Sequence, residues 1–167
     1  MINNVEEDGL SIALVYYSLG GNTEKVARAI RDVTGANAMR IETRQPYGGT
    51  YDEIVDRGKK EVDQGYLPEI KGVGESLEGY DAIVLGTPVW WYTLAPAMRS
   101  FLQAYAWEGK TVYPFATNGG WLGHVFEDYK ECCDGAVLHR GLNVELEGTI
   151  MKTPREAIEA WAESLIA

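Results

Sequence analysis

Between Ser18 and Thr23 the chain has residue types, at a spacing, that could hold an anion. Ser18 and Thr23 carry hydroxyls and Asn22 an amide, while Gly20 and Gly21 let the backbone approach a ligand closely. From Asn22 onward the spacing is helical: Val26, Ala27 and Ile30 fall on one face, and Glu24, Lys25, Arg28 and Arg31 on the other. A helix N-terminus presents unpaired amides and a partial positive charge, so a loop of glycines and hydroxyls just ahead of it can bind phosphate. Taken alone, the loop is equally an ordinary strand-to-helix turn with Asn22 or Thr23 as N-cap. It is not a dinucleotide fingerprint, because no G-x-G-x-x-G is present, nor a Walker loop, because no lysine directly precedes the threonine.

Two later stretches are similarly unusual. Gly86 to Thr93 contains Thr87, Pro88 and Val89, then two tryptophans and a tyrosine, Trp90, Trp91 and Tyr92. One of these large rings is expected in the core, but three cannot all point inward from one loop, so aromatic surface should remain for a planar ligand. Thr117, Asn118, Gly119, Gly120 and Trp121 again join a hydroxyl, glycines and a tryptophan.

The elements that must position these loops alternate between strand and helix. Ile12–Val15 reads as a strand buried on both faces, followed by a helix from Asn22 that stops at Gly35. Residues 37–43 suggest a second strand and residues 51–64 a charged surface helix, with a loop over 65–79. Ala82–Leu85 is a third strand, its loop running from Gly86 to Thr93 before a helix that carries Pro96 in its first turn. Residues 111–116 form a fourth strand, made less regular by Pro114, with a helix over 123–133. Residues 136–138 make a short last strand extended irregularly over 141–149, and residues 154–166 a closing amphipathic helix.

Such alternation predicts an α/β domain: a three-layer sandwich whose five-stranded parallel sheet, in order 2-1-3-4-5, is covered by helices on both faces. Sheets of this kind bind ligands beyond the carboxyl ends of their strands, where the strand order reverses. All three loops lie at carboxyl ends and should converge, one suited to phosphate and two to a polyol and a flat ring. A phosphate joined to a polar chain and an aromatic system describes FMN.

These residues resemble the flavodoxin family. Ser18-Leu19-Gly20-Gly21-Asn22-Thr23 is similar to its phosphate loop. Gly86-Thr87-Pro88-Val89-Trp90-Trp91, followed by Ala95-Pro96-Ala97, resembles the second loop of the short flavodoxin-like proteins of bacteria and archaea, and Thr117-Asn118-Gly119-Gly120 the third. The resemblance covers Ser11 to Leu165. It implies that Ser18, Leu19, Gly20, Gly21, Asn22 and Thr23 surround the phosphate. Thr87, Pro88, Val89 and Trp90 would border the ribityl chain and ring, with Trp90 or Trp91 stacked on it, and Thr117, Asn118, Gly119 and Gly120 would line the pyrimidine edge. Gly20 departs from the pattern, because flavodoxins usually carry a hydroxyl there; restoring one is expected to tighten FMN binding.

At 167 residues the chain suits one domain over 1–167, with a loosely ordered lead-in at 1–10. The opening is polar and acidic where a signal peptide would be basic and then apolar, and no apolar run could cross a bilayer, so a cytoplasmic protein without membrane contact is expected. A net charge of −10 argues against nucleic-acid binding, and Cys132 and Cys133, as neighbours, are poorly placed for a structural disulfide. His124 and His139 have no clustered partners that would suggest a metal site.

The function expected from the resemblance is a low-potential electron carrier, monomeric or weakly dimeric, serving redox partner proteins with basic docking surfaces. Acidic surroundings and an aromatic face disfavour the anionic reduced flavin and so lower its potential. An FMN-dependent NAD(P)H oxidoreductase acting on quinones is the alternative, and a flavodoxin-like binding domain without flavin a third. A phosphoacceptor receiver fits poorly, since Tyr16, Tyr17 and Ser18 stand where paired acids would be needed.

Overall fold

The computed structural model describes residues 9–167; positions 1–8, most of the expected lead-in, lie outside the described residues. Strand β1 (Ile12–Tyr16) is apolar and buried at every position, as a strand covered on both faces must be. It pairs in parallel with β2 (Asn37–Arg40) on one side and with β3 (Ala82–Trp90) on the other. Beyond β3 come β5 (Thr111–Asn118) and β7 (Leu142–Glu147), both parallel, so the five principal strands run in the order second, first, third, fourth, fifth. That is the expected topology with three short strands added: β4 (Thr93–Leu94), β6 (Val137–Leu138) and β8 (Ile150–Met151).

Successive side chains of a strand face opposite ways, and the core divides accordingly. Val15, Ile83 and Leu85 pack under α3 (Pro96–Gln103) and α4 (Val125–Cys132), burying Met98, Phe101 and Tyr129. Leu14, Val84 and Phe115 face the other way, against α1 (Asn22–Thr34) and α5 (Arg155–Ile166), burying Ile30, Ile158 and Leu165.

Several boundaries differ from expectation for physical reasons. The stretch 86–93 is not a loop: β3 continues to Trp90 and turns back at once through Trp91 and Tyr92 into antiparallel β4, with both turn residues at positive φ, 50° and 70°. Strand β5 runs on to Asn118 because β7 offers it a partner as far as Glu145. The last strand position is filled in two pieces, β6 beside Thr111–Val112 and a regular β7 beside Phe115–Asn118. Pro114 falls in the interval between them, where β5 has no partner on that edge, which reconciles proline with a central strand. Strand β2 ends at Arg40, three residues early, and α4 spans only Val125–Cys132, shorter than expected at both ends.

Helix α2 (Tyr51–Gln64) opens with a capping box in which the Thr50 hydroxyl accepts from the Glu53 amide and the Glu53 carboxylate from that of Thr50. It is not merely a surface helix, since it buries Gly58 and Glu61 against the turn that ends β3. Among the described residues no helix is long and apolar enough to cross a membrane.

Candidate functional site

The loop between β1 and α1 is shaped by Gly20 and Gly21, with φ of 78° and 95°, a backbone region that strains other residues. Gly21, not Asn22 or Thr23, is the N-cap of α1, and it offers no side chain to the helix. The buried Ser18 fills that role from further back: its hydroxyl oxygen accepts from the Glu24 amide at 3.1 Å, while the Lys25 amide bonds to the Gly21 carbonyl at 3.0 Å. The amides of Asn22 and Thr23, the first two of the helix, have no intrahelical partner. Arg40 fixes the loop from the side, donating to the Ser18 carbonyl at 2.9 Å and pairing with Glu24 at 3.2 Å.

The turn between β7 and β8 closes over the start of α1. The Asn22 side-chain amide donates to the Gly148 carbonyl at 2.9 Å and the Lys25 ammonium to that of Thr149 at 3.1 Å. Asn22 therefore offers a ligand its backbone amide and the second N–H of its side chain, the first being engaged by Gly148. Thr23 points inward, its hydroxyl 2.7 Å from that of Thr117.

Gly20 and Leu19 then meet the end of β3 in a groove of about 650 Å³, lined also by Ile54, Gly58, Trp90 and Trp91. Val89 lies in the same groove. Trp90 is half-buried and held on its edges, with ring centroids 5.1 Å from Tyr47 and 6.0 Å from Tyr17. Its face rests on α2, where a Cβ added to Gly58 would lie 3.2 Å from the indole. Trp91, at the turn, donates its indole N–H to the Val55 carbonyl at 3.3 Å. Thr87 is fully buried: its hydroxyl donates to the Pro88 carbonyl and accepts from the Ala95 amide, which ties the strand to the start of α3 and leaves no free side-chain donor.

Beside Trp90 the buried Tyr47 and Glu61 meet the half-exposed Arg57. The Tyr47 phenol donates to Glu61 at 2.5 Å, Arg57 donates to the other Glu61 oxygen at 3.1 Å, and the Arg57 guanidinium sits 4.2 Å from the centre of the Tyr47 ring. Burial, the Glu61 hydrogen bond and the Glu61 charge hold the Tyr47 phenol far above its ordinary range. Burial, then the Glu61 charge, pushes Tyr17 up to about 12.

The third stretch is placed differently. Asn118 accepts from the Gly120 amide at 2.9 Å and donates to Asn143 at 2.6 Å, so Asn118 and Gly120 first of all shape their own loop, while Trp121 stands 73% exposed. This loop does not line the groove. It joins the first loop through Thr117 and Thr23, and the β3–β4 turn through the His124 amide, which donates to the Tyr92 carbonyl at 2.9 Å. Asp128 secures that turn, accepting from the Thr93 hydroxyl and bonding His124 Nδ1 at 2.5 Å. The contribution of α2 is what the sequence concealed; its one signal was Gly58, a residue that disfavours a helix interior.

The donor set fits FMN. Two unpaired helix amides and the Ser18 hydroxyl, whose oxygen already accepts a hydrogen bond, suit a phosphate; the adjoining aromatic groove suits a flat ring. The flavodoxin family profile matches residues 11–165. A protein of Bacteroides eggerthii, described provisionally as a flavoprotein, superposes with a TM-score of 0.79 over 94% of this chain and 98% of its own, at 26% identity. The FMN complex of a flavoprotein of Lactobacillus acidophilus shares the fold, with a TM-score of 0.68 over 80% of this chain and 92% of its own, at 22% identity. An NAD(P)H dehydrogenase (quinone) of Geobacter sulfurreducens is 30% identical over 99 residues, 57% of this chain and 48% of that protein. The chain spans about half the length of the curated relatives it matches. With the strand order, the anion loop and a family match over nearly its whole length, the chain belongs to the flavodoxin family.

Proposed function

We propose that the chain binds FMN and carries electrons between redox proteins. The observation that carries this function is the continuity of the α1 amide cradle, through Gly20, with the aromatic groove at Trp90 and Trp91. When bound, FMN supplies one- and two-electron redox chemistry. The chain's own residues bind and orient it: the Asn22 and Thr23 amides and the Ser18 hydroxyl hold the phosphate, and Trp90 and Trp91 offer the ring an apolar face. The net charge of −10 favours partners with basic docking surfaces, steering their encounter more than their final affinity.

One observation favours the second function, an NAD(P)H oxidoreductase acting on quinones. Curated relatives bear the name NAD(P)H dehydrogenase (quinone), and the groove beside Trp90 measures about 650 Å³. Stopped-flow mixing of the FMN-loaded protein with NADPH separates the two. A carrier leaves the flavin absorbance unchanged on the mixing time scale, whereas rapid bleaching favours the oxidoreductase. A purified chain that is colourless and takes up no FMN in a titration would sink both.

A further inference from the structure

We propose that Trp90, Tyr47 and Glu61 form a relay that draws an oxidising equivalent out of the groove and stores it on a buried tyrosine. Trp90 both lines the groove and packs edge-on against Tyr47. Its ring centroid lies 5.1 Å from that of Tyr47, well within reach of a single electron-transfer step, and the Tyr47 phenol is already hydrogen-bonded to the Glu61 carboxylate at 2.5 Å.

The second contact makes the first one productive. A tyrosine yields an electron to an oxidised tryptophan readily only if its phenolic proton leaves at the same time, because the oxidised phenol is a strong acid. Glu61 is 6% exposed and accepts that proton through a bond already made. In the resting protein the same phenol is held protonated far above its ordinary range, so the proton moves only when the electron does.

The steps balance. One electron passes from the Trp90 indole to a one-electron oxidant in the groove, such as a photoexcited flavin or a small oxidising radical. One electron passes from Tyr47 to Trp90, restoring the neutral indole. The phenolic proton passes from Tyr47 to Glu61 Oε2, leaving a neutral phenoxyl radical and a carboxylic acid. Arg57 stays charged beside both, 3.1 Å from Glu61 Oε1 and 4.2 Å from the Tyr47 ring centre, and so opposes a cationic tyrosine radical while tolerating a neutral one. Tyr17 is the internal control. It lies almost as near Trp90, at 6.0 Å, but its hydroxyl has no hydrogen-bond acceptor among the described residues.

The relay rests on the proposed FMN binding for its oxidant in the groove, but not for its chemistry. The test is flash photolysis of the FMN-loaded protein, with transient absorption resolving indole from phenoxyl radicals. In the unmodified protein the indole signal should give way to a phenoxyl signal, more slowly in D2O than in H2O. Tyr47→Phe should leave the indole signal standing, Glu61→Gln should slow phenoxyl formation about tenfold by removing the charge from the acceptor, and Tyr17→Phe should change nothing. Trp90→Phe should abolish the phenoxyl signal, while Trp91 in the same groove still yields an indole signal. No phenoxyl signal in the unmodified protein, an undiminished one in Tyr47→Phe, or no effect of Glu61→Gln and D2O would overturn the relay. Should Tyr47→Phe fail to fold, Glu61→Gln and D2O decide. Azide radicals applied to the FMN-free protein and its Trp90→Phe and Tyr47→Phe variants repeat the comparison without cofactor, so a protein that takes up no FMN refutes FMN binding while the relay is still judged.

Discussion

The hydroxyls of Thr23 and Thr117 face each other at 2.7 Å with both side chains buried, joining the first turn of α1 to the carboxyl end of β5 across 94 positions of sequence. This bond couples the anion loop to the third loop, which does not itself line the groove. Replacing either threonine with valine strands the other hydroxyl in the interior and is expected to cost about 1–3 kcal/mol. The double variant should cost less than the sum of the two singles, and a double-mutant cycle of urea unfolding measures the difference.

At Gly20 two effects oppose. A side chain there meets nothing within 4 Å, so space is no obstacle, but the φ of 78° imposes on any L residue a strain of about 1–2 kcal/mol. A new hydroxyl bonded to a phosphate dianion returns about 1.5–3 kcal/mol. The strain is borne with or without FMN, so Gly20→Ser should lower the urea midpoint of the FMN-free protein while tightening FMN by about tenfold or more in a fluorescence titration. A stability equal to that of the parent would mean that the loop relaxes out of this conformation.

Gly58 sets how far Trp90 can sit back from the groove. Alanine would bring a Cβ to 3.2 Å from the indole, a misfit of a few tenths of an ångström that the better helix propensity of alanine, about 1 kcal/mol, can offset. Leucine cannot be accommodated in this way and should push the indole into the groove. Gly58→Ala is expected to keep near-parental stability and FMN affinity; Gly58→Leu should weaken FMN at least about tenfold, a loss of about 1.4 kcal/mol. Titrating the two variants side by side checks the contrast.

Alkali should unfold the protein in two overlapping stages. Burial pushes the Cys133 thiol from 9.0 up to about 12, and Tyr17 goes from 10.0 to about 12, so the folded state keeps protons that the unfolded chain has already lost. Stability is full below the unfolded values and falls as pH rises through the window, beginning near 9 and steepening near 10, by about 1.4 kcal/mol per pH unit for each group. Cys133→Ala should flatten the loss between about pH 9 and 10 and make the later loss less steep, since only Tyr17 of the two groups then contributes. Urea midpoints measured across that range provide the check; a parent protein with pH-independent stability up to 11 would contradict the burial assigned to both groups.

Much of the fold was legible in the sequence because period and punctuation are local. Ile12–Val15 is apolar throughout because both faces of β1 are covered, Gly35 stops α1 in the left-handed conformation, and Pro96 stands at the first turn of α3. The switch from strand to helical period at Ser18–Asn22 placed the loop between β1 and α1, and strand-helix alternation led to the order of the five principal strands. What sequence determined, then, was which segments are strands and helices and which loops stand at carboxyl ends.

The tertiary structure decided which loops share a cavity and which donors are free, because both depend on partners remote in sequence. The Thr87 hydroxyl is held between Pro88 and Ala95, and one N–H of the Asn22 side chain is engaged by the β7–β8 turn, contacts that no local pattern signals. Trp90 and Trp91 could not be told apart in sequence; one packs on Gly58, Tyr17 and Tyr47 while the other occupies a turn at positive φ. The charged pattern of α2 gave its solvent face faithfully and concealed Glu61, whose burial is stabilised by Arg57 one turn earlier and Tyr47 outside the helix. A charge can be buried only where its partners converge on it, and that convergence is a property of the folded chain.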